Sequence, residues 1–237
     1  MIEQITSDAD WLARFANTPT WQPERKPTLV VAPHPDDETL GAGALIATLR
    51  AAGVPVTVVA ATDGENAYET SDAERQALRK TREAEQRAAL ATLGVEAENI
   101  FRLRLTDSGL YTQESELTQR LLEHVEPGMQ VVAPWSGDFH PDHEACARAA
   151  AAVCKSKGLP LISYFFWTWH RGWPDLLDAE PVVRFVPSQD ALAAKAKALA
   201  EHRSQLEREG GEPILPEKFL WPARWPFEIF LPMEVSA

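Results

Sequence analysis

The sequence predicts an α/β fold, a Rossmann-like and mostly parallel sheet with helices on both faces. Two observations carry this. Short β-branched runs alternate with Ala- and Leu-rich stretches of helical length, the pattern of βα units. His34, Asp63, Asp107 and His140 each fall just after a predicted strand, and in such sheets a site forms beyond the carboxyl ends of the strands.

The elements follow in order. Residues 1–27, with Trp11, Trp21 and three prolines, form an N-terminal arm with a short helix near 9–15. Thr28 to Ala32 is a buried strand, and a helix runs from about Thr39 to Ala52, where Gly53 stops it. Val54 to Ala61 is a second buried strand, turned by Thr62-Asp63-Gly64. Ala73 to Leu93 reads as a long amphipathic helix ending near Gly94. Ile100 to Leu105 alternates, with Phe101, Leu103 and Leu105 on one side and Arg102 and Arg104 on the other, as a half-buried strand does. Glu114 to Val125 is a helix, Gln130 to Pro134 a strand, Asp142 to Lys157 a helix stopped by Gly158, and Leu159 to Trp167 a strand. Gln189 to Glu209 reads as one helix. The Pro/Trp-rich segment 210–237 is expected as an extended tail packed on the body, the sharper reading being a wall over the site or a homo-oligomer contact. The whole chain, 1–237, reads as a single domain.

Composition narrows the function. The net charge of −12 disfavours nucleic acid and anionic membranes, which need clustered Lys and Arg. No apolar run reaches the roughly 18 residues of a membrane span. Met1-Ile2-Glu3-Gln4 lacks the basic start and apolar middle of a signal peptide, so a cytoplasmic location is expected. Cys146 and Cys154, about two turns apart in one helical stretch, are too far apart for a disulfide and read as small buried apolar residues.

Two clusters carry the chemistry. Pro33-His34-Pro35-Asp36-Asp37-Glu38 follows Leu29-Val30-Val31-Ala32, and His140-Pro141-Asp142-His143 follows Val131-Val132-Ala133. Packing does not ask for such charge at a strand end; a divalent metal with a water beside it does. Of adjacent aspartates at a turn, one can bind the metal while the other takes a proton. A second histidine near the metal could protonate a leaving amine. On spacing alone both His140 and His143 qualify as ligands. A helix-capping Asp142 with a surface histidine is the bland alternative.

These two motifs together resemble the PIG-L/LmbE-like family of zinc-dependent N-acetylglucosaminyl de-N-acetylases. The resemblance covers roughly Thr28 to Leu231. Weaker matches are Thr62-Asp63-Gly64, Arg82 with Glu85 and Leu93-Gly94, Asp107, His202-Arg203-Ser204-Gln205 and Phe227-Glu228-Ile229-Phe230. The resemblance implies an LmbE-like fold and a hydrolase removing an acetyl group from an amino-sugar conjugate. It implies that His34, Asp37 and His143 hold Zn2+, with Fe2+ suited to the same donors. Asp36 would be the general base on the zinc-bound water. His140 would protonate the amine or stabilise the oxyanion, and Asp142 would orient His140. Glu38 would support these ligands or cap the helix, while Arg82 and Asp107 would hold sugar hydroxyls. The family's motif often begins Ala-His where this chain has Pro33-His34, a change ahead of the ligand that leaves the chemistry intact.

From the residues alone, Arg82 could instead pair with Glu85, and Asp107 or Asp63 could simply form turns. His124 reads as solvated, and His202 has a claim through its context. Phe165 to Trp173 could form a sugar-stacking wall or a strand end in the core. The rivals to the deacetylase are a metal-dependent amidohydrolase on another small amide and a non-catalytic α/β binding module. A binding module for nucleotides would want a glycine-rich turn after the first strand, where this chain has His-Pro-Asp-Asp.

Overall fold

The computed structural model describes residues 6–68 and 70–233. Met1-Ile2-Glu3-Gln4 and the last four residues of the Pro/Trp-rich segment lie outside them. In chain order the elements are α1 (Asp8–Phe15), β1 (Thr20–Trp21), β2 (Thr28–Ala32), α2 (Asp37–Ala51), β3 (Val56–Thr62), α3 (Asp72–Thr92), β4 (Ile100–Leu105), α4 (Glu114–Leu122), β5 (Gln130–Pro134), α5 (Pro141–Lys157), β6 (Leu161–Tyr164), α6 (Trp167–Arg171), β7 (Val183–Phe185), α7 (Gln189–Glu201), α8 (Arg203–Leu206) and β8 (Glu228–Met233).

The strands form one sheet in the order β1-β7-β8-β6-β5-β2-β3-β4. Every pairing is parallel except those of β8, which runs antiparallel between β6 and β7. β2 and β5 are neighbours, with Thr28 opposite Gln130 and Val30 opposite Val132. From β2 the chain winds outward through β3 and β4; from β5 it winds the other way through β6. This reversal leaves a crevice at the carboxyl ends of β2 and β5.

Successive strand residues face opposite layers. Val30, Val58 and Val132 pack with α2, α3 and α7 residues such as Leu45, Leu90 and Ala198. Leu29, Val31, Val59 and Val131 pack with α4 and α5 residues such as Leu117, Ala149 and Val153. Helices therefore cover both faces, which is why β2 and β5 read as continuous apolar runs. Cys146 and Cys154 are buried, free thiols in the second layer.

The structure departs from the expected elements at four places. The strand expected over Leu159 to Trp167 ends at Tyr164, and Trp167–Arg171 is a short helix. The Asp138 carboxylate accepts from the backbone N–H groups of Phe166, Trp167 and Thr168 and from the Thr168 hydroxyl, and so supplies the cap that starts α6. The helix expected over Gln189 to Glu209 breaks at His202 (ψ 51°) and resumes as α8. The expectation of a packed extended tail holds for position but omits its strand: Glu228–Met233 lies within the sheet. In β4, Leu103 and Leu105 are buried as expected, while Phe101 is 39% exposed and packs on His124 (ring centroids 4.4 Å apart).

β8 also governs α2. That helix has a non-helical residue at Ala42 (φ −140°), so a new set of N–H groups opens inside it. The Glu228 carboxylate accepts from the N–H groups of Ala44 and Leu45, both at 2.9 Å, and from Lys195 Nζ at 2.7 Å. A buried carboxylate thus meets two orphan donors and one cation. On the same helix Gly41 admits the Tyr164 ring, which would come within 2.2 Å of a Cβ there.

Candidate active site

The site begins where β2 ends. Pro33 to Asp36 turns the chain, and Asp36 takes φ 153°, a conformation that L-residues rarely adopt and that surrounding contacts must hold. Its carboxylate accepts from Arg82 Nη2 at 3.1 Å. The same guanidinium donates to the carbonyls of Gly64 (2.9 Å) and Pro35 (3.1 Å). Gly64 (φ +65°) leaves room for that group, because a Cβ would lie 2.1 Å from Nη1. Arg82 therefore pairs with Asp36 rather than with Glu85, whose carboxylate accepts from the N–H and hydroxyl of Ser204. Burial pushes Asp36 up to about 7 even though Arg82 pulls it down.

Asp37 opens α2 and turns its carboxylate back. Oδ2 accepts from the His34 N–H (2.9 Å), lies 3.0 Å from His34 Nδ1 and stands 3.2 Å from His143 Nε2. Behind these, Glu38 is fully buried; Gln86 Nε2 donates to its carboxylate at 3.1 Å. Burial pushes Glu38 up to about 8, so it is protonated at neutral pH.

The far side of His34 meets Asp107 Oδ1 and Asp142 Oδ2, each 3.2 Å from Nε2. Carboxylates thus flank both ring nitrogens; although burial lowers it, Asp107, Asp142 and Asp37 raise His34 well above its ordinary value, and Nδ1 becomes free to ligate only when a cation displaces the proton shared with Asp37. Asp142 is further held by the N–H groups of Ser108 (2.7 Å) and Leu110 (3.0 Å). Its carboxylate faces His34, and its own backbone N–H donates to His140 Nδ1 at 3.2 Å. Asp142 and His140 are thus in contact through the main chain. Burial, with His143 and His34 nearby, holds His140 down at about 4. The ring is neutral at pH 7, and its acceptor at Nδ1 leaves the proton on Nε2.

His143 lies on α5, buried completely. Nδ1 is 2.8 Å from Asp138 Oδ2. Asp138 accepts from everything else it touches, so it accepts a hydrogen bond from His143 Nδ1–H as well. His143 Nε2 makes no well-formed hydrogen bond yet stands 3.2 Å from Asp37 Oδ2; against the lowering by burial, Asp37 and Asp138 raise His143 to about 9, so this buried nitrogen and carboxylate call for a cation between them. Asp138 is the residue that motif reading missed. Its only sequence signal is an acidic side chain just after Gly137 and five residues ahead of His143.

Among the described residues two overlapping groups could hold a metal ion, His34–Asp37–His143 and His34–His140–Asp142, with ligand atoms within 4.8 Å of one another. The first fits a divalent cation. Once a cation displaces the protons facing Asp37, the group offers two imidazole nitrogens and a carboxylate, and each imidazole is oriented through its other nitrogen by a carboxylate, the arrangement typical of metal-bound histidines. The second fits less well, because backbone N–H groups already occupy the Asp142 carboxylate and His140 Nδ1.

A cavity of about 260 Å³ opens over these groups. His34, Asp36, Asp37, Arg82, Asp107 and His140 all line it. Asp107 also accepts from the N–H of Asn66 (2.7 Å), another lining residue. Phe166 and Trp167 from the aromatic run reach the cavity, whereas Phe165 and Trp169 pack in a separate core with Trp11 and Trp225. Of the C-terminal segment, Ile214 and Leu215 line it. Asp63 is not at the cavity but buried against Arg102 (3.2 Å) and Arg79 (3.3 Å). His202 is buried with Nε2 3.4 Å from the Thr39 hydroxyl.

A His/Asp cluster of this geometry, at the switch point of a doubly wound sheet, marks an α/β protein with a candidate metal site. The family described as PIG-L, GlcNAc-PI de-N-acetylase, matches residues 29–154, just over half of the chain, and the chain belongs to that family. The probable N-acetyl-alpha-D-glucosaminyl L-malate deacetylase 2 of Bacillus subtilis (strain 168) is 28% identical over 218 residues, spanning 83% of this chain and 97% of the relative. The 1D-myo-inositol 2-acetamido-2-deoxy-alpha-D-glucopyranoside deacetylase 2 of Catenulispora acidiphila is 29% identical over 255 residues, spanning 79% and 82%. The N,N'-diacetylchitobiose deacetylase from Pyrococcus horikoshii, solved with its inhibitor MPG, shares the fold with a TM-score of 0.65 at 22% identity, over 94% of this chain and 86% of that one.

Proposed function

We propose that this chain is a zinc-dependent de-N-acetylase, a hydrolase that removes the acetyl group from an N-acetylglucosamine-type conjugate. The observation that carries the reading is the buried Nε2 of His143, without a well-formed hydrogen bond, beside Asp37 and His34, with a second aspartate, Asp36, on the cavity wall. His34 through Nδ1, Asp37 and His143 through Nε2 would hold the metal. When bound, it supplies a Lewis acid for the amide carbonyl and favours ionisation of a nearby water.

The remaining work falls to the chain. Asp36 takes the proton of the attacking water on its carboxylate and returns it to the amide nitrogen as the C–N bond breaks, releasing acetate and the free amine. Arg82 holds that carboxylate in place. His140, neutral with its proton on Nε2, donates to the carbonyl oxygen as negative charge gathers there. This favours oxyanion stabilisation over amine protonation for His140. Asp142 keeps His140 Nδ1 an acceptor through its backbone N–H and orients His34 through its carboxylate. Asp107, held by the Asn66 N–H on Oδ2 and facing His34 with Oδ1, offers its remaining lone pairs to sugar hydroxyls. Arg82, with its guanidinium committed to Asp36 and two carbonyls, acts on substrate through Asp36.

The test is the metal content of purified wild type and His143→Ala by elemental mass spectrometry, followed by an assay of acetate release from N-acetylglucosaminides. About one zinc per chain, lost in the variant, with acetate release, is the expected result. Iron in its place would reassign the metal. No metal bound or taken up by wild type would overturn the hydrolase reading in favour of a binding module.

A further inference from the structure

We infer, resting on the deacetylase reading above, that the site selects an amino sugar whose aglycone is uncharged and apolar, and discriminates against one carrying a carboxylate.

The cavity wall offers an anion no uncommitted side-chain cation. Asp36, Asp37 and Asp107 line it, and among the described residues Arg82 is its single Lys or Arg. Arg82 is 3% exposed, and its terminal nitrogens are already bonded to Gly64, Pro35 and Asp36. Turning that guanidinium to a substrate carboxylate would strip Asp36 of its partner. Away from the metal position, an anionic aglycone would therefore give up its hydration and meet Asp36 and Asp107 with no free guanidinium or ammonium to answer it, a costly exchange at a partly enclosed site. Two further guanidiniums lie on aromatic faces and do not themselves line the cavity: Arg171 over Trp167 (4.5 Å), where it also donates to the Phe139 carbonyl, and Arg208 over Tyr68 (4.0 Å).

The rest of the wall is apolar and fixed. Leu40, Phe166, Trp167, Ile214 and Leu215 supply it. The Ile214 N–H donates to the Tyr68 hydroxyl at 3.0 Å, and that hydroxyl donates to the Ser204 carbonyl at 3.3 Å. The Leu215 N–H donates to the Gln205 carbonyl at 2.9 Å. Glu85 in turn holds Ser204 from α3. Ile214 and Leu215 are thus pinned at the cavity from two sides, and their side chains make a preorganised apolar surface.

The experiment compares two substrates with the same N-acetylglucosaminyl group, a phenyl glycoside and a glycoside of malate. The readouts are kcat/KM for acetate release by wild type and Kd by calorimetry with Asp36→Ala. The phenyl glycoside is expected to lead by roughly tenfold or more in both, the scale of discrimination an apolar pocket supplies. Ile214→Arg is expected to narrow the ratio by weakening the phenyl glycoside and strengthening the malate glycoside. Equal or better handling of the malate glycoside by wild type overturns the inference without touching the deacetylase reading. Tighter binding of the phenyl glycoside with no acetate release from either compound sinks the deacetylase reading and leaves the selectivity standing. Binding of neither overturns both.

Discussion

The Asp138 carboxylate stands 2.8 Å from His143 Nδ1 and at the same time caps α6 through three backbone N–H groups. One buried side chain thus sets the tautomer of a candidate ligand and the course of the aromatic segment that walls the cavity. Asp138→Asn keeps the size but offers His143 a weaker acceptor. We expect metal affinity to fall by about 10- to 100-fold, the usual effect of removing a carboxylate behind a histidine ligand. Competitive titration with a chelator measures it. Unchanged affinity would mean that His143 is oriented by packing alone.

Asp36→Ala separates base from ligand. The variant is expected to bind about one metal per chain and to lose turnover by about 10²- to 10⁴-fold, the range for a general acid–base group. Elemental analysis beside an acetate assay checks both halves. Near-normal turnover would assign the proton transfer elsewhere.

Lys195→Met removes the cation from a pair that is almost fully buried, with both partners under 5% exposed. Glu228 would be left charged between Ala44 and Leu45, and breaking such a pair costs about 3–5 kcal/mol. Lys218→Met removes a comparable contact to Glu212 at the surface (2.6 Å) and is expected to cost about 1 kcal/mol or less. Urea denaturation of the two variants should differ accordingly. Equal midpoints would remove Lys195–Glu228 as the support of the interrupted α2.

Stability should decline on the acid side through His170. It is fully buried, ringed by Phe166, Phe219 and Trp221, and burial holds it down at about 4 against its ordinary 6.5. The unfolded chain then binds a proton that the folded chain refuses. The contribution is whole above pH 6.5 and is lost as pH falls from there toward 4, at up to about 1.4 kcal/mol per unit. His202, held at about 3 by burial and Arg82, adds to the same slope. His170→Phe should give urea midpoints that fall less steeply between pH 6.5 and 4.5; parallel slopes would exclude His170 as the source.

Most of the fold and much of the site were legible locally. β2 and β5 are five-residue strands buried at every position, apolar after Thr28 and Gln130, because both faces are covered, and the two His/Asp clusters announce themselves by charge at a strand end. The departures are instructive. α6 starts where it does because Asp138, nearly 30 residues earlier, reaches its N–H groups. α7 breaks at His202, where the ring turns inward to Thr39. Neither signal lies within a helix-length window.

By itself the sequence determined the periodicities, the strand ends and the chemical types gathered there, since these depend on neighbours a few residues apart. Tertiary structure alone decided that β2 and β5 lie side by side, so that His34 and His143 share Asp37. It alone slotted β8 antiparallel between β6 and β7, where Glu228 could cap an interruption in α2. It also committed Arg82 to Asp36 rather than to Glu85 on its own helix. Each of these rests on groups far apart in the chain, which burial forces into contact because a desolvated charge or N–H must find a partner.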